Sequence, residues 1–166
     1  MYGYPSRAYW MDLGTPRNYL RVHRDLLLGG ASLQPDGELV QAGVWVGEGC
    51  HIAPGVVFRP PVVLGPGCRV EEGAQLRGPL VVGAGCTLGR GSVADGALLW
   101  HGVRVGSQVS LTRCILADDV VVGNGVNVGP DCILAEGSVA EDGNYLGEGV
   151  ILGPGKRLAP GTLTRI

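Results

Sequence analysis

The sequence predicts an all-β protein: a parallel β-helix of about seven coils, preceded by a short strand and one capping α-helix. Three regularities predict it. Apolar residues recur every six positions from Val40 through Val46, Ile52, Phe58 and Leu64 to Leu158, in 21 units. Thirteen glycines stand three residues after the apolar position and nine stand one residue after it, so 22 of the 30 glycines keep the period. Six prolines, Pro54, Pro60, Pro66, Pro130, Pro154 and Pro160, all fall two residues after it. Self-similarity at this period is the signature of stacked β-coils. Proline presets the first angle of a turn and glycine accepts the positive angle that follows, so each unit is one short flat strand plus one corner. Three units close an 18-residue triangular coil, and seven coils at a strand spacing of about 4.8 Å make a rod roughly 34 Å long.

Composition narrows the functional classes. The chain has 166 residues, room for one domain with a short appendage, which excludes a second large catalytic domain. Its 30 glycines are far above the usual share of about 7%, yet 45% apolar residues exclude low-complexity disorder. A net charge of -2 and few aromatics offer nucleic acid no footprint. No apolar run reaches the length of a membrane span, and the first residues, Met1 to Arg7, lack a signal-peptide core, so a soluble cytoplasmic protein without a membrane partner is expected.

Taken in order, residues 1–30 form a strand and a helix, residues 31–39 a linker, and residues 40–166 the repeat domain. Tyr9-Trp10-Met11 reads as the strand, ending at Asp12-Leu13-Gly14. Thr15 is a good N-cap and Pro16 suits the first helical turn, so a helix is predicted from Pro16 to about Leu28. Tyr19, Val22, His23, Leu26 and Leu27 share one face, Arg17, Arg21 and Arg24 the other, and Gly29-Gly30 closes it. Pro35-Asp36-Gly37 marks a turn in the linker. An open β-helix end exposes apolar core and unpaired backbone, so the helix is expected to cap it. Within the repeat, Trp100 is assigned an inward position, and the units Trp100–Arg104 and Leu111–Ile115 are each one residue short. No unit carries an insertion, so no arm projects to form a pocket.

Four groups of residues could carry chemistry. Cys50, Cys68, Cys86, Cys114 and Cys132 all hold the same small inward position. Stacked neighbours about 4.8 Å apart exceed the usual disulfide Cβ separation of roughly 3.5–4.5 Å, so these are read as buried, free and structural. His51 and His101 lie nearly three coils apart, about 14 Å along the axis, too far to share one zinc within a subunit. Arg59, Arg77 and Asp95 are 18 apart and form one column, either an anion site or subunit contact or, more simply, a solvated face. Asp12, before a glycine turn, is by residue type alone turn chemistry.

Resemblance adds to this. Hexapeptides such as Val46-Gly47-Glu48-Gly49-Cys50-His51 resemble the left-handed β-helix of many transferases, which supplies the handedness. That fold includes hexapeptide acyltransferases and zinc carbonic anhydrases, but the repeat holds no third histidine and no loop to cover an acyl donor. The stretch Tyr9 to Leu27, with Trp10-Met11-Asp12-Leu13-Gly14-Thr15-Pro16 and Tyr19-Leu20-Arg21-Val22-His23-Arg24-Asp25, closely resembles the segment that ends the catalytic domain of sugar-1-phosphate nucleotidyltransferases. Mannose-1-phosphate guanylyltransferases are the nearest kind. The resemblance implies that Asp12 is the catalytic, metal-binding aspartate that helps hold Mg²⁺. It also implies that the glycine-rich nucleotide loop and first metal aspartate belong to a missing N-terminal catalytic domain, supplied in cis or in trans. The chain is then a C-terminal segment, inactive alone, with the β-helix serving oligomerisation, as trimer or dimer, or regulation. A free-standing acyltransferase and a non-catalytic assembly scaffold are the alternatives.

Overall fold

A computed structural model describes residues 9–29 and 35–164. Among the described residues, one helix, α1 (Pro16–Leu27), precedes twenty-two short strands, from β1 (Glu38–Gln41) and β2 (Val44–Val46) to β22 (Leu163–Thr164). The twenty-one strands from β2 onward deal themselves in turn onto three sheets, seven to each, and the first sheet carries β1 as an eighth, edge strand. Every pairing except that of β1 with β2 is parallel and in register from coil to coil, as with Phe58 beside Leu76 and Val70 beside Leu88. This is the predicted seven-coil prism.

Glycine performs two separate tasks in it. All thirteen glycines three residues past the apolar position have positive φ; twelve, Gly49 and Gly161 among them, turn the corners, and Gly43 turns the hairpin between β1 and β2. Most of those one residue past it permit coils to touch: a Cβ on Gly47 would stand 2.4 Å from the backbone nitrogen of Pro66 in the next coil. Between the corners an unbroken apolar column fills the prism, with Leu64, Leu76, Leu88, Leu116 and Leu134 all fully buried. Asn144 is buried within it, its side chain accepting from Thr162 N at 2.6 Å and donating to Leu158 O at 3.3 Å.

Four local expectations are corrected. The first short unit is Ala94–Leu98, because Leu99, not Trp100, pairs with Val82 and Leu116 and is 1% exposed. Two adjacent large apolar residues hide the missing position from a periodicity count, and the deletion falls at the Asp95-Gly96 turn, where Gly96 has φ +60°. The second short unit, Leu111–Ile115, lies where predicted, since Leu116 pairs with Leu134. Val40 belongs to no coil: Gly43, at φ +74°, reverses the chain so that β1 runs antiparallel to β2. Twenty-one strands remain because Thr164, beside Leu146, completes the final coil.

The other two concern the N-terminal segment. Residues 9–11 form no strand. Helix α1 has the predicted start, with Thr15 Oγ accepting from Asn18 N at 3.2 Å and proline in its first turn, but it does not cap the prism end. It lies against the side, where Arg17 pairs with Asp131 at 3.0 Å and Tyr19 meets Trp100. The predicted closing residues are half in view: Gly29 has φ +86°, and Gly30 lies outside the described residues.

Candidate functional site

The outer face of the first sheet explains the position of α1. Coil by coil, the residue before the inward one is Trp45, Val63, Val81, Leu98, Ile115, Ile133 and Ile151, a continuous apolar stripe on the outside of the prism. At its middle Leu98 and Ile115 are only 3% and 7% exposed, whereas Ile151 at its end is 69% exposed. The turn Leu13-Gly14-Thr15-Pro16 and Tyr19 face Trp100, Ile115 and Ile133 across a shallow cleft. Tyr19 and the turn before the helix thus rest on the apolar side of the prism, while no residue of α1 is fully buried. The stripe was present in the sequence as residues 17 or 18 apart; attention to the inward position alone misses it.

The segment before the helix is tied to it. Tyr9 donates from its hydroxyl to Asp25 Oδ2 at 3.0 Å. Asp12 is exposed, and its Oδ1 accepts from Gly14 N at 3.0 Å, the geometry of a turn aspartate. Among the described residues no three His, Cys, Asp or Glu side chains gather as a metal site. Mg²⁺ prefers near-octahedral oxygen coordination; one carboxylate already engaged by a backbone N–H does not fit that need by itself.

The histidines stand apart as expected. His51 is exposed beside Arg69 on the second sheet. His101 sits at a corner, where its backbone N donates to Asp118 Oδ1 at 2.8 Å and its Nδ1 lies 3.0 Å from the same oxygen. His23, half-buried in α1 with its ring 4.7 Å from that of Tyr19, is held below the ordinary imidazole pKa by burial.

The cysteines are all free, and all but half-buried Cys50 are buried. Cys68 Sγ donates to Gly83 O at 3.0 Å and Cys86 Sγ to Trp100 O at 2.8 Å, so each thiol serves as a small core residue that also joins coil to coil. Burial pushes Cys50, Cys114 and Cys132 up. The predicted column is also formed: Arg59 stacks beside Arg77 and Arg77 beside Asp95, with a 3.8 Å ion pair between the last two.

Short parallel strands on three sheets, turned at positive-φ corners, define a hexapeptide-repeat β-helix protein, and its family match gives the left-handed form. The chain belongs to the EIF2B subunit epsilon LbH domain family, whose model matches residues 41–146. A curated relative, the mannose-1-phosphate guanylyltransferase of Mycobacterium tuberculosis, is 34% identical over 73 residues, covering 33% of this chain and 20% of the relative. The chain thus matches about a fifth of that protein's length. Solved structures that resemble it include a hexapeptide transferase family protein from Anaplasma phagocytophilum, 26% identical with TM-score 0.41 and 72% of each chain covered. Another is LpxA, a UDP-N-acetylglucosamine acyltransferase from Bacteroides fragilis, 14% identical with TM-score 0.45, covering 76% of this chain and 67% of that one. No helix among the described residues is long and apolar enough to cross a membrane.

Proposed function

We propose that the chain is the C-terminal segment of a sugar-1-phosphate nucleotidyltransferase, the enzyme class that joins a nucleoside triphosphate to a sugar 1-phosphate and releases pyrophosphate. The observation that carries this reading is the Tyr9–Leu27 segment. It resembles the end of that family's catalytic domain, and here it is folded onto itself through Tyr9 and Asp25 and docked on the β-helix through Tyr19. The relative from M. tuberculosis supports the same class. In this reading the β-helix provides oligomerisation or regulation. Asp12 offers one carboxylate to a Mg²⁺ site whose other ligands lie in a catalytic domain joined in cis or in trans. The test is pyrophosphate release from GTP and mannose 1-phosphate, with the isolated chain expected to be inert and the chain joined to a catalytic domain active.

A second reading has its own observation. With Nδ1 held against Asp118, His101 presents Nε2 to solvent, the arrangement of an oriented general base. A free-standing acyltransferase would release coenzyme A from an acyl donor in the presence of an amino sugar, and His101→Asn would abolish it. The absence of inserted loops from the described coils favours the first reading.

A further inference from the structure

We propose that the groove between α1 and the adjoining corner of the prism binds a phosphorylated sugar. The groove has a volume of about 310 Å³, within the range of small-molecule sites, which begins near 300 Å³. Four arginines line it, Arg17, Arg21 and Arg24 from the helix and Arg113 from the corner, against two aspartates, Asp95 and Asp131. Leu20 and Pro79 give it an apolar wall.

The arginines are not equivalent. Arg17 is committed to Asp131 at 3.0 Å, and Arg21 faces Asp25 at 3.9 Å. Among the described residues, Arg24 and Arg113 make no ion pair, so two guanidinium groups, each able to hold phosphate oxygens in a bidentate fork, remain available.

Arg113 is also placed at a backbone cost. Its φ is +42°, a conformation that suits glycine; of the two turns stacked on it, one uses Gly96 at +60° and the other Asp131 at +57°, so this corner places two charged residues of the groove at positive φ. Its side chain lies over Gly96: a Cβ there would stand 3.3 Å from Arg113 Cγ. Glycine at 113 would turn the chain with less strain, but it would leave one cation fewer in the groove.

Asp95 and Asp131 each use Oδ2 on an arginine and retain Oδ1 as an acceptor for hydroxyls. Two available forks beside two carboxylate acceptors and an apolar wall suit a phosphate monoester that carries a polyol. The choice of a sugar phosphate rests on the nucleotidyltransferase reading, and because the test needs no turnover its failure is distinguishable from the failure of that reading.

The experiment is calorimetric titration of the 166-residue chain with mannose 1-phosphate and, separately, inorganic phosphate. Saturable binding of the sugar phosphate is expected, about tenfold tighter than that of inorganic phosphate. Arg113→Gly, which relaxes the backbone and so keeps the fold, and Arg24→Gln should each weaken it about tenfold or more. Arg90→Gln, outside the groove in a pair with Glu72, should leave it unchanged. No saturable binding, equal losses in all three variants, or equal affinity for inorganic phosphate and the sugar phosphate would overturn the proposal.

Discussion

Tyr19 of α1 meets Trp100 of the prism edge to face, ring centroids 6.3 Å apart and planes at 61°. Trp100 is at that place because the coil deletion falls one unit earlier than a six-residue count suggests, which turns Leu99 inward and Trp100 outward. An aromatic pair of this kind contributes about 0.5–1.5 kcal/mol beyond its area. Tyr19→Ala and Trp100→Ala should therefore both raise amide exchange in α1 while leaving the coils protected. In a double-mutant cycle they should couple by about 1 kcal/mol. Equal loss of protection in coils and helix would show that α1 is not a separately docked element.

Docking of α1 should weaken in acid. Burial holds the His23 pKa below its free value, so the undocked helix binds the proton more readily than the docked one. The helix-docking free energy is then fully present above the free imidazole value of about 6.5, falls as pH drops through it, and levels off below the docked-state pKa. Tryptophan fluorescence followed from pH 8 to pH 5, about the range over which imidazole titrates, should report the change, and His23→Leu should remove it.

The cysteines should behave as core residues. Titration of native thiols with a bulky reagent should find Cys68, Cys86, Cys114 and Cys132 silent, Cys50 slow, and all five reactive after unfolding. Within the stacked pair, Cys86 lowers Cys68 to about 7, yet Cys68 is 1% exposed and bonded to Gly83 O, so access and not acidity governs it. Rapid native labelling of Cys68 would contradict the inward register.

Asn144 should anchor the last coil. Its two hydrogen bonds reach Leu158 and Thr162, one coil on, and Asn144→Ala leaves the part-buried Thr162 N–H without its partner, while Leu158 O still accepts from Glu141 N. The expected cost is about 1–3 kcal/mol, seen first as amide exchange across residues 151–164. An unchanged exchange pattern would remove the anchoring role.

The coils carry no inserted loops among the described residues, and the isolated chain should self-associate through its β-helix as a trimer or dimer. Light scattering that returns a concentration-independent monomer would contradict the oligomerisation role.

The coils were legible in the sequence because each unit turns one large and one small residue inward, and the large one cannot be exchanged for a polar residue without cost. Glycines such as Gly47 and Gly49 report the same period through sterics rather than hydrophobicity. Legibility ended where two answers share a composition. Leu99 and Trp100 are both apolar, and Gly43 serves a hairpin as readily as a corner. The side-docked helix was encoded in Trp45, Val63, Val81, Leu98, Ile115, Ile133 and Ile151, but a second apolar face shows itself only once the first is assigned its register. Of the groove, Asp95 was visible in its column with Arg59 and Arg77, and Arg17, Arg21 and Arg24 as the basic face of α1, while Arg113 joins them only through the folded corner.

The central claim, that Tyr9–Leu27 is the end of a nucleotidyltransferase catalytic domain, is tested most directly at Asp12. Pyrophosphate release from GTP and mannose 1-phosphate is measured for the isolated chain, for the chain joined to a catalytic domain, and for the joined chain carrying Asp12→Asn. Asparagine replaces a turn aspartate with little change in stability. The account predicts no turnover by the isolated chain, turnover by the joined chain, and a loss of about a hundredfold or more with Asp12→Asn. Robust turnover by the isolated chain, or normal turnover by the joined chain carrying Asp12→Asn, would contradict it.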